Sequence, residues 1–317
     1  MDKARGWYNT GTQCLTSSKE IKTRAGLITL IGAPNVGKST LLNQLVGAKV
    51  SIVTHKVQTT RRRVHGIVIC NNDQFIFVDT PGIFESRRPL DHVMVNKTWR
   101  QIKNSDVVCL VIDSAKGLKG ESEVILRKIS CIKLPKILLI NKIDRVKREK
   151  LFQLVINANE YTYFDNTFMI SALNGDGCKD ILNHIRNFLP VVPWLYPPNQ
   201  VSNVSQRMLS SEITREKLYL CLHQELPYSA RVEVECWEEK IDGSLKIDQT
   251  IYIERLSQKR ILIGNKGKTI KRISSMARKE LSELLKRQVH LFLLVKVRER
   301  WVDNSEPDPE MGLSFLD

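Results

Sequence analysis

No CxxC pair occurs among the seven cysteines, Cys14, Cys70, Cys109, Cys131, Cys178, Cys221 and Cys236, and no histidine stands at zinc-ligand spacing. That argues against a disulfide framework or a zinc module, and the thiols read as reduced. Cys70 and Cys109 lie inside apolar runs and are expected to be small buried hydrophobes. Nor is any apolar run long enough to cross a bilayer. Residues 1–26 lack the apolar segment of a signal peptide. Their basic, acid-poor composition would suit an organelle transit peptide, but Asp2 and Glu20 interrupt it. A short disordered arm over residues 1–25 and a cytoplasmic location are the expectations. Acidic residues are few, 34 against 49 Lys plus Arg, which leaves a net charge of +15. The excess suits a polyanionic partner, nucleic acid or an anionic membrane surface, although a basic surface with no such partner would look the same.

What is present is enough chain for about two domains, 317 residues, with an ordinary apolar content of 42%. Residues 26–189 alternate short apolar runs ("GLITLIG", "QFIFVDT", "DVVCLVIDS", "KILLINKID", "TFMISAL") with helix-length stretches such as 39–46 and 91–103. Strands buried on both faces of a parallel sheet read this way. Asn71, Asn72 and Asp73 join two runs as a hairpin turn, giving one antiparallel edge. The class is α/β with a mostly parallel sheet. Four prolines in "LPVVPWLYPPNQ" then favour an extended linker, residues 190–209, and a domain boundary. Residues 210–303 read α-β-β-α-α-β: a helix capped by Ser211 with Ile213, Leu218, Leu220 and Leu222 turned inward, two strands about an Asp242-Gly243 turn, a helix pair and a last strand. Residues 304–317 form an acidic tail containing Pro307 and Pro309.

"GAPNVGKST" follows a strand and opens a helix, the context a phosphate loop requires. The loop from Gly32 through Pro34, Asn35, Val36 and Gly37 to Thr40 would curl around phosphate oxygens at the helix N-terminus, with a backbone N–H free to donate at every position but the proline. Lys38 would reach the β- and γ-phosphates, and Ser39 would ligate Mg²⁺. Asp79, at a strand end, supplies the second magnesium carboxylate, and Gly82 offers an N–H that senses the γ-phosphate. "NKID" brings Asn141, Lys142 and Asp144, whose carboxylate can accept from both guanine N1–H and the exocyclic amine. "SAL", Ser171, Ala172 and Leu173, completes the purine pocket, with the Ala172 N–H turned to the base. Either Thr59 or Thr60 could complete the magnesium shell, and Thr60 is preferred. The following Arg61, Arg62 and Arg63 read equally as a solvated face or as a phosphate or RNA contact. Missing is a glutamine after Gly82 to orient the attacking water, because Ile83 stands there.

In the second unit Gly264-Asn265-Lys266-Gly267 is a GxxG loop between helices, with Lys268, Lys271 and Arg272 beside it. Such a loop lets a nucleic-acid backbone approach closely, and in this α-β-β-α-α-β order it implies a KH-type fold. Arg255, Lys259 and Arg260 extend the basic stretch. "GKT" here is no second phosphate loop, since that frame needs glycine where Leu262 stands. Trp237, Tyr252 and Trp301 could stack on bases, or belong to the core.

Together "GAPNVGKSTLLNQLVG", "QTTRRR", "VDTPGI", "NKID", "SAL", "SSEITREKLY", "ELPYS" and "IGNKGKTIKRI" make residues 26–303 resemble the Era GTPases. The resemblance implies a Ras-like P-loop GTPase domain followed by an α+β type II KH domain. It implies a monomer that binds GTP or GDP with Mg²⁺ and hydrolyses GTP slowly, with Lys38, Thr60 and Gly82 at the reacting phosphate. It further implies nucleotide-dependent binding to the 3′ end of small-subunit (16S) ribosomal RNA, a part in 30S assembly on the pre-30S particle, and peripheral contact with the inner membrane. In this group a hydrophobic residue replaces the catalytic glutamine, so Ile83 does not mark a dead enzyme. Related GTPases also imply K⁺ held with the help of Asn35. Two alternatives stay open: an RNA chaperone whose nucleotide is structural, and a membrane-recruited signalling GTPase. The first 25 residues exceed the usual start of the family, and the acidic tail is unplaced.

Overall fold

Apolar runs that end in polar or small residues become strands whose carboxyl ends share one edge. The structure is a computed structural model, and it describes residues 22–298 except 57–58, 61–62, 84–94, 96–97, 223–225 and 227–229. The expected arm up to residue 21, Arg61, Arg62, Trp301 and the acidic tail lie outside the described residues, as does part of the helix expected over 91–103.

The first unit runs β1 (Arg24–Ile31), α1 (Lys38–Val46), β2 (Val64–Cys70), β3 (Asp73–Asp79), β4 (Val107–Asp113), α2 (Glu121–Ile129), β5 (Lys136–Asn141), α3 (Arg148–Asn159), β6 (Asn166–Ile170) and α4 (Cys178–Ile185). The sheet order is β2-β3-β1-β4-β5-β6. β2 pairs antiparallel with β3 through the Asn71–Asn72 turn, and the other pairings are parallel. All seven residues of β3 and of β4 are buried, which is why residues 75–78 and 107–112 read as unbroken apolar runs. Register aligns Leu30 with Asp79, Asp113 with Asn141, and Asn141 with Ile170. The loops that carry the sequence motifs therefore leave one edge, where α/β sheets gather ligands. Cys109 is buried as expected, but Cys70 is exposed because it ends the edge strand where the hairpin turns.

The proline-rich segment is extended but does not hang free. Gln74 of β3 accepts from the Leu195 and Tyr196 amides at 2.8 and 2.9 Å and donates to the Tyr196 carbonyl at 2.7 Å. Trp194 donates to the Asn72 carbonyl, and the Ile67 amide donates to the Val201 carbonyl at 2.9 Å.

The second unit runs α5 (Gln206–Cys221), β7 (Arg231–Glu239), β8 (Leu245–Ile253), α6 (Leu256–Ile263), α7 (Lys268–Leu285) and β9 (Val289–Val297). β7 and β8 form an antiparallel hairpin, and β9 pairs parallel to β8 after the α6–α7 crossover. Two details of the sequence reading need correction. Ser205, not Ser211, caps α5 by accepting from the Met208 amide at 3.2 Å, so the helix takes in residues assigned to the linker. Ser211 instead donates to the Met208 carbonyl at 2.8 Å, which a serine inside a helix can do. Ile213, Leu218 and Leu222 are buried, but Leu220 faces outward.

Candidate nucleotide site and RNA loop

The loop from β1 into α1 surrounds the N-terminus of that helix. Gly37 has φ of 103°, and a Cβ there would fall 2.3 Å from Asn141 Nδ2, so only glycine fits. Asn141 is buried and donates to the Val36 carbonyl at 2.8 Å, while Lys142 Nζ donates to the Asn35 carbonyl at 2.7 Å. The phosphate-loop carbonyls are thus turned toward β5. No side chain caps α1 and its first turn holds no acid, which suits an anion. Asn35 Nδ2 donates to the His55 carbonyl at 2.8 Å and so ties the loop to the segment after α1.

Lys38 is buried, and its ammonium donates to the Gly32 and Ala33 carbonyls at 3.0 Å each. Burial pulls its pKa down to about 8, with the Asp79 and Glu121 charges opposing. Asp79 lies opposite. Its Oδ2 accepts from Ser39 Oγ at 2.6 Å, Ser51 Oγ at 3.1 Å and Thr60 Oγ1 at 3.4 Å. Its Oδ1 is buried with no partner in the protein. Burial pushes the Asp79 carboxyl above the usual carboxylate range, against the pull of Lys38 and the three hydroxyls. Thr60 Oγ1 stands 3.1 Å from Ser39 Oγ, whereas Thr59 turns away to Thr54 Oγ1 and the Lys56 carbonyl.

A buried carboxylate with one oxygen bound by hydroxyls and the other orphaned suits Mg²⁺, which takes one or two carboxylates and completes its shell with phosphate oxygens and water. Among the described residues no group of three or more His, Cys, Asp or Glu could hold a metal alone. Ser39, Thr60 and Asp79 fit a magnesium ion that arrives with its phosphates. Gly82 packs against Pro34, and the Ile83 amide donates to the Gly32 carbonyl at 3.1 Å. The Ile83 side chain is buried in the hydrophobic core, so the residue at the glutamine position does not face the cavity.

At the other end Asp144 Oδ1 accepts from Ser171 Oγ at 2.8 Å, with Arg145 Nε 3.8 Å from Oδ2. The Ala172 N–H, expected to meet the base, donates here to Asn141 Oδ1 at 2.9 Å. A buried amide beside a buried amide oxygen pairs with it when both would otherwise be unsatisfied. Leu173 is exposed at the cavity mouth. Between the phosphate and purine ends lies a cavity of about 270 Å³ that reaches from Pro34 and Lys38 to Asp144 and Leu173. Sequence reasoning missed Ser51 and Asp113. Asp113, which accepts from Lys142 at 2.6 Å, had a signal as the polar end of a buried strand. Ser51 had none.

In the second unit α6 ends at Gly264, with φ 73° and ψ 177°, where a Cβ would meet Thr269 Oγ1 at 2.2 Å. Lys266 and Gly267 continue in left-handed backbone, and α7 begins at once. Leu262 and Ile273 anchor the two helices in the core. Asn265, Lys266, Lys268, Lys271 and Arg272 are exposed around the loop, and residues 264–279 contain no acid. Trp237 packs against the core, and Tyr252 donates to Glu235 at 3.2 Å.

A family described as "50S ribosome-binding GTPase" matches residues 27–142, and one described as "KH domain" matches residues 225–302. The GTPase Era of Sinorhizobium medicae is 54% identical over 306 residues, 96% of this chain and 99% of its own. That of Mesorhizobium japonicum is 56% identical over 293 residues, 92% of this chain and 94% of its own. Among solved structures, a tyrosine-to-alanine variant of Aquifex aeolicus Era bound to GDP·AlF4⁻ superposes with a TM-score of 0.85 at 35% identity, covering 92% of this chain and 99% of that one. Era in complex with MgGDPNP and nucleotides 1506–1542 of 16S ribosomal RNA gives a TM-score of 0.85 at 34% identity, with the same coverage. Similarity of this degree along nearly the whole of both chains means that this protein belongs to the Era family, GTPases that carry a KH domain.

Proposed function

We propose that the chain is a GTP-hydrolysing switch that binds the 3′ end of small-subunit ribosomal RNA through its GxxG loop and times its release during 30S assembly. The observation that carries the reading is the cavity, lined by phosphate-loop residues at one end and by Asp144 and Ala172 at the other, on the same chain as an acid-free basic loop. In the GTP state Lys38 exchanges its bonds to the Gly32 and Ala33 carbonyls for phosphate oxygens, and the N-terminus of α1 adds its N–H groups. Ser39, Thr60 and Asp79 would hold a magnesium ion, which would neutralise charge on the phosphates. The Gly82 N–H faces the γ-phosphate. With Ile83 in the core, backbone groups alone orient the attacking water, which makes hydrolysis slow. At the base, Asp144 accepts from guanine N1–H and the exocyclic amine.

Support for the RNA site comes from the related complex with the 16S fragment and from the exposure of Lys266, Lys268, Lys271 and Arg272. The proposed setting is the cytoplasm, with the protein a monomer on the pre-30S particle and in peripheral contact with the inner membrane. The test is the affinity for a short RNA copying that 3′ end, at one salt concentration, with protein loaded with a non-hydrolysable GTP analogue or GDP. Tighter binding in the GTP state, lost with scrambled RNA, is expected. Equal binding in both states would remove the switch and leave a nucleotide-stabilised RNA clamp. Selective binding to anionic vesicles, with no RNA preference, would favour the membrane reading.

A Cβ at Gly267 meets no atom within 4 Å, so Gly267→Asp places a carboxylate where RNA phosphates would approach. RNA affinity should fall by more than about tenfold, while the thermal midpoint drops by only a few degrees, the cost of about 1 kcal/mol for a side chain at a φ of 76°. An unchanged affinity would exclude the loop from the RNA surface. For K⁺, proposed to be held with the help of Asn35, turnover in KCl should exceed that in NaCl at equal ionic strength. Equal rates would remove potassium from the site.

A further inference from the structure

The loop that carries Thr60 is held by the other unit. Arg215, on α5, is buried, and its Nη2 donates to the Thr59 carbonyl at 2.7 Å, across 156 positions of chain. Its own helix fixes its direction. Glu212, one turn back, pairs with Nε at 3.0 Å and also with Nη2, while Tyr219, one turn on, meets Nη1 at 3.4 Å with its ring 5.5 Å from the guanidinium. A planar fork held on two sides has one donor edge left, and that edge meets the backbone of the residue before Thr60. Neighbouring contacts fasten the same loop. Glu216 of α5 accepts from the Val53 amide at 2.9 Å and from Lys49 Nζ at 2.7 Å, and Lys56 donates to the Leu222 carbonyl.

We propose that Arg215 is a positioning residue for GTP hydrolysis: by holding the Thr59 carbonyl, it keeps the Thr60 hydroxyl beside Ser39 and Asp79. The inference rests on the reading of Thr60 as a magnesium ligand in the GTP state. It adds that the RNA-binding unit supplies part of the nucleotide site's rigidity. GDP lacks the γ-phosphate that Thr60 serves, so Arg215 should matter for GTP and its turnover and hardly at all for GDP.

The experiment is a double-mutant cycle on the full chain, read by single-turnover hydrolysis, by affinity for GDP and for a GTP analogue with Mg²⁺, and by thermal midpoint. Arg215→Ala should slow turnover about tenfold and weaken the GTP analogue several-fold while leaving GDP affinity within about twofold. Arg215→Lys, which keeps the charge but not the planar fork, should recover part of the loss. In a Thr60→Ala background, Arg215→Ala should add less than about twofold, because its route to the phosphate is already gone. Unchanged turnover in Arg215→Ala overturns the inference. So do additive effects in the double variant, or a loss of GDP affinity and thermal midpoint in parallel with turnover. If Thr60→Ala itself leaves turnover intact, the assignment of Thr60 fails first and carries this inference with it.

Discussion

Asp144→Asn should weaken GTP binding by two to three orders of magnitude, roughly the loss expected when charge-assisted hydrogen bonds are removed and a donor is set against a donor. Ser171 Oγ, on the loop after β6, donates to this carboxylate at 2.8 Å. An amide in its place offers one acceptor and one donor, so one of guanine's two N–H groups meets an N–H. Xanthine carries a carbonyl where guanine has its amine, so xanthosine triphosphate should bind the variant better than GTP. Affinities for GTP, ATP and xanthosine triphosphate check this. If the variant keeps wild-type GTP affinity and its preference over ATP, Asp144 is not at the base.

Lys38→Met should move two quantities in opposite directions. Nucleotide affinity should drop by about a thousandfold, the loss expected when a desolvated charged partner of the phosphates disappears. The nucleotide-free protein should gain stability, because its ammonium is buried with a pKa of about 8 in place of 10.5. The sign follows from linkage. Between those two values the unfolded chain binds the proton more tightly, so wild-type stability rises with pH across that window. Below pH 8 both states are protonated and the full penalty stands, about 3 kcal/mol for that shift. The two carbonyl bonds that methionine cannot make, at about 1 kcal/mol each, offset about two thirds of it. A rise of about 2–4 °C in the thermal midpoint at pH 7 should remain. Binding also carries a pH signature. Phosphates restore the proton to Lys38, so wild-type affinity should fall by up to about tenfold per unit above pH 8, while the variant's profile stays flat. A variant that melts lower and binds with the same pH profile would mean that Lys38 is a structural lysine.

Much of this was legible in the sequence because its signals are local. A strand covered on both faces must be apolar throughout, and the polar residue that ends it must face a ligand or a partner; Asp79, Asn141 and Ser171 follow from that rule. The missed features depend on distant contacts. Four prolines specify an extended segment, but not that Gln74 would bind it. Ser205 and Ser211 are both credible caps by type, and only the packing of α5 chooses between them. The Ala172 amide has two chemically sound partners, the base and Asn141 Oδ1. Arg215 and Thr59 lie on different units, so no periodicity links them.

The extended segment also shields the chain from its neighbours. β2 is the outer strand of the first sheet, and its free side would present an unpaired row of amides and carbonyls to any other extended chain. Instead Gly66 forms an antiparallel bridge with Ser202, the Ile67 amide is bound by Val201, and the His65 amide is bound by Asn203 Oδ1 at 2.9 Å. The connection between the two units is thereby also a guard against self-association. Shortening it would open the sheet edge to edge-to-edge stacking, so a deletion there should show first as precipitation and only then as lost activity.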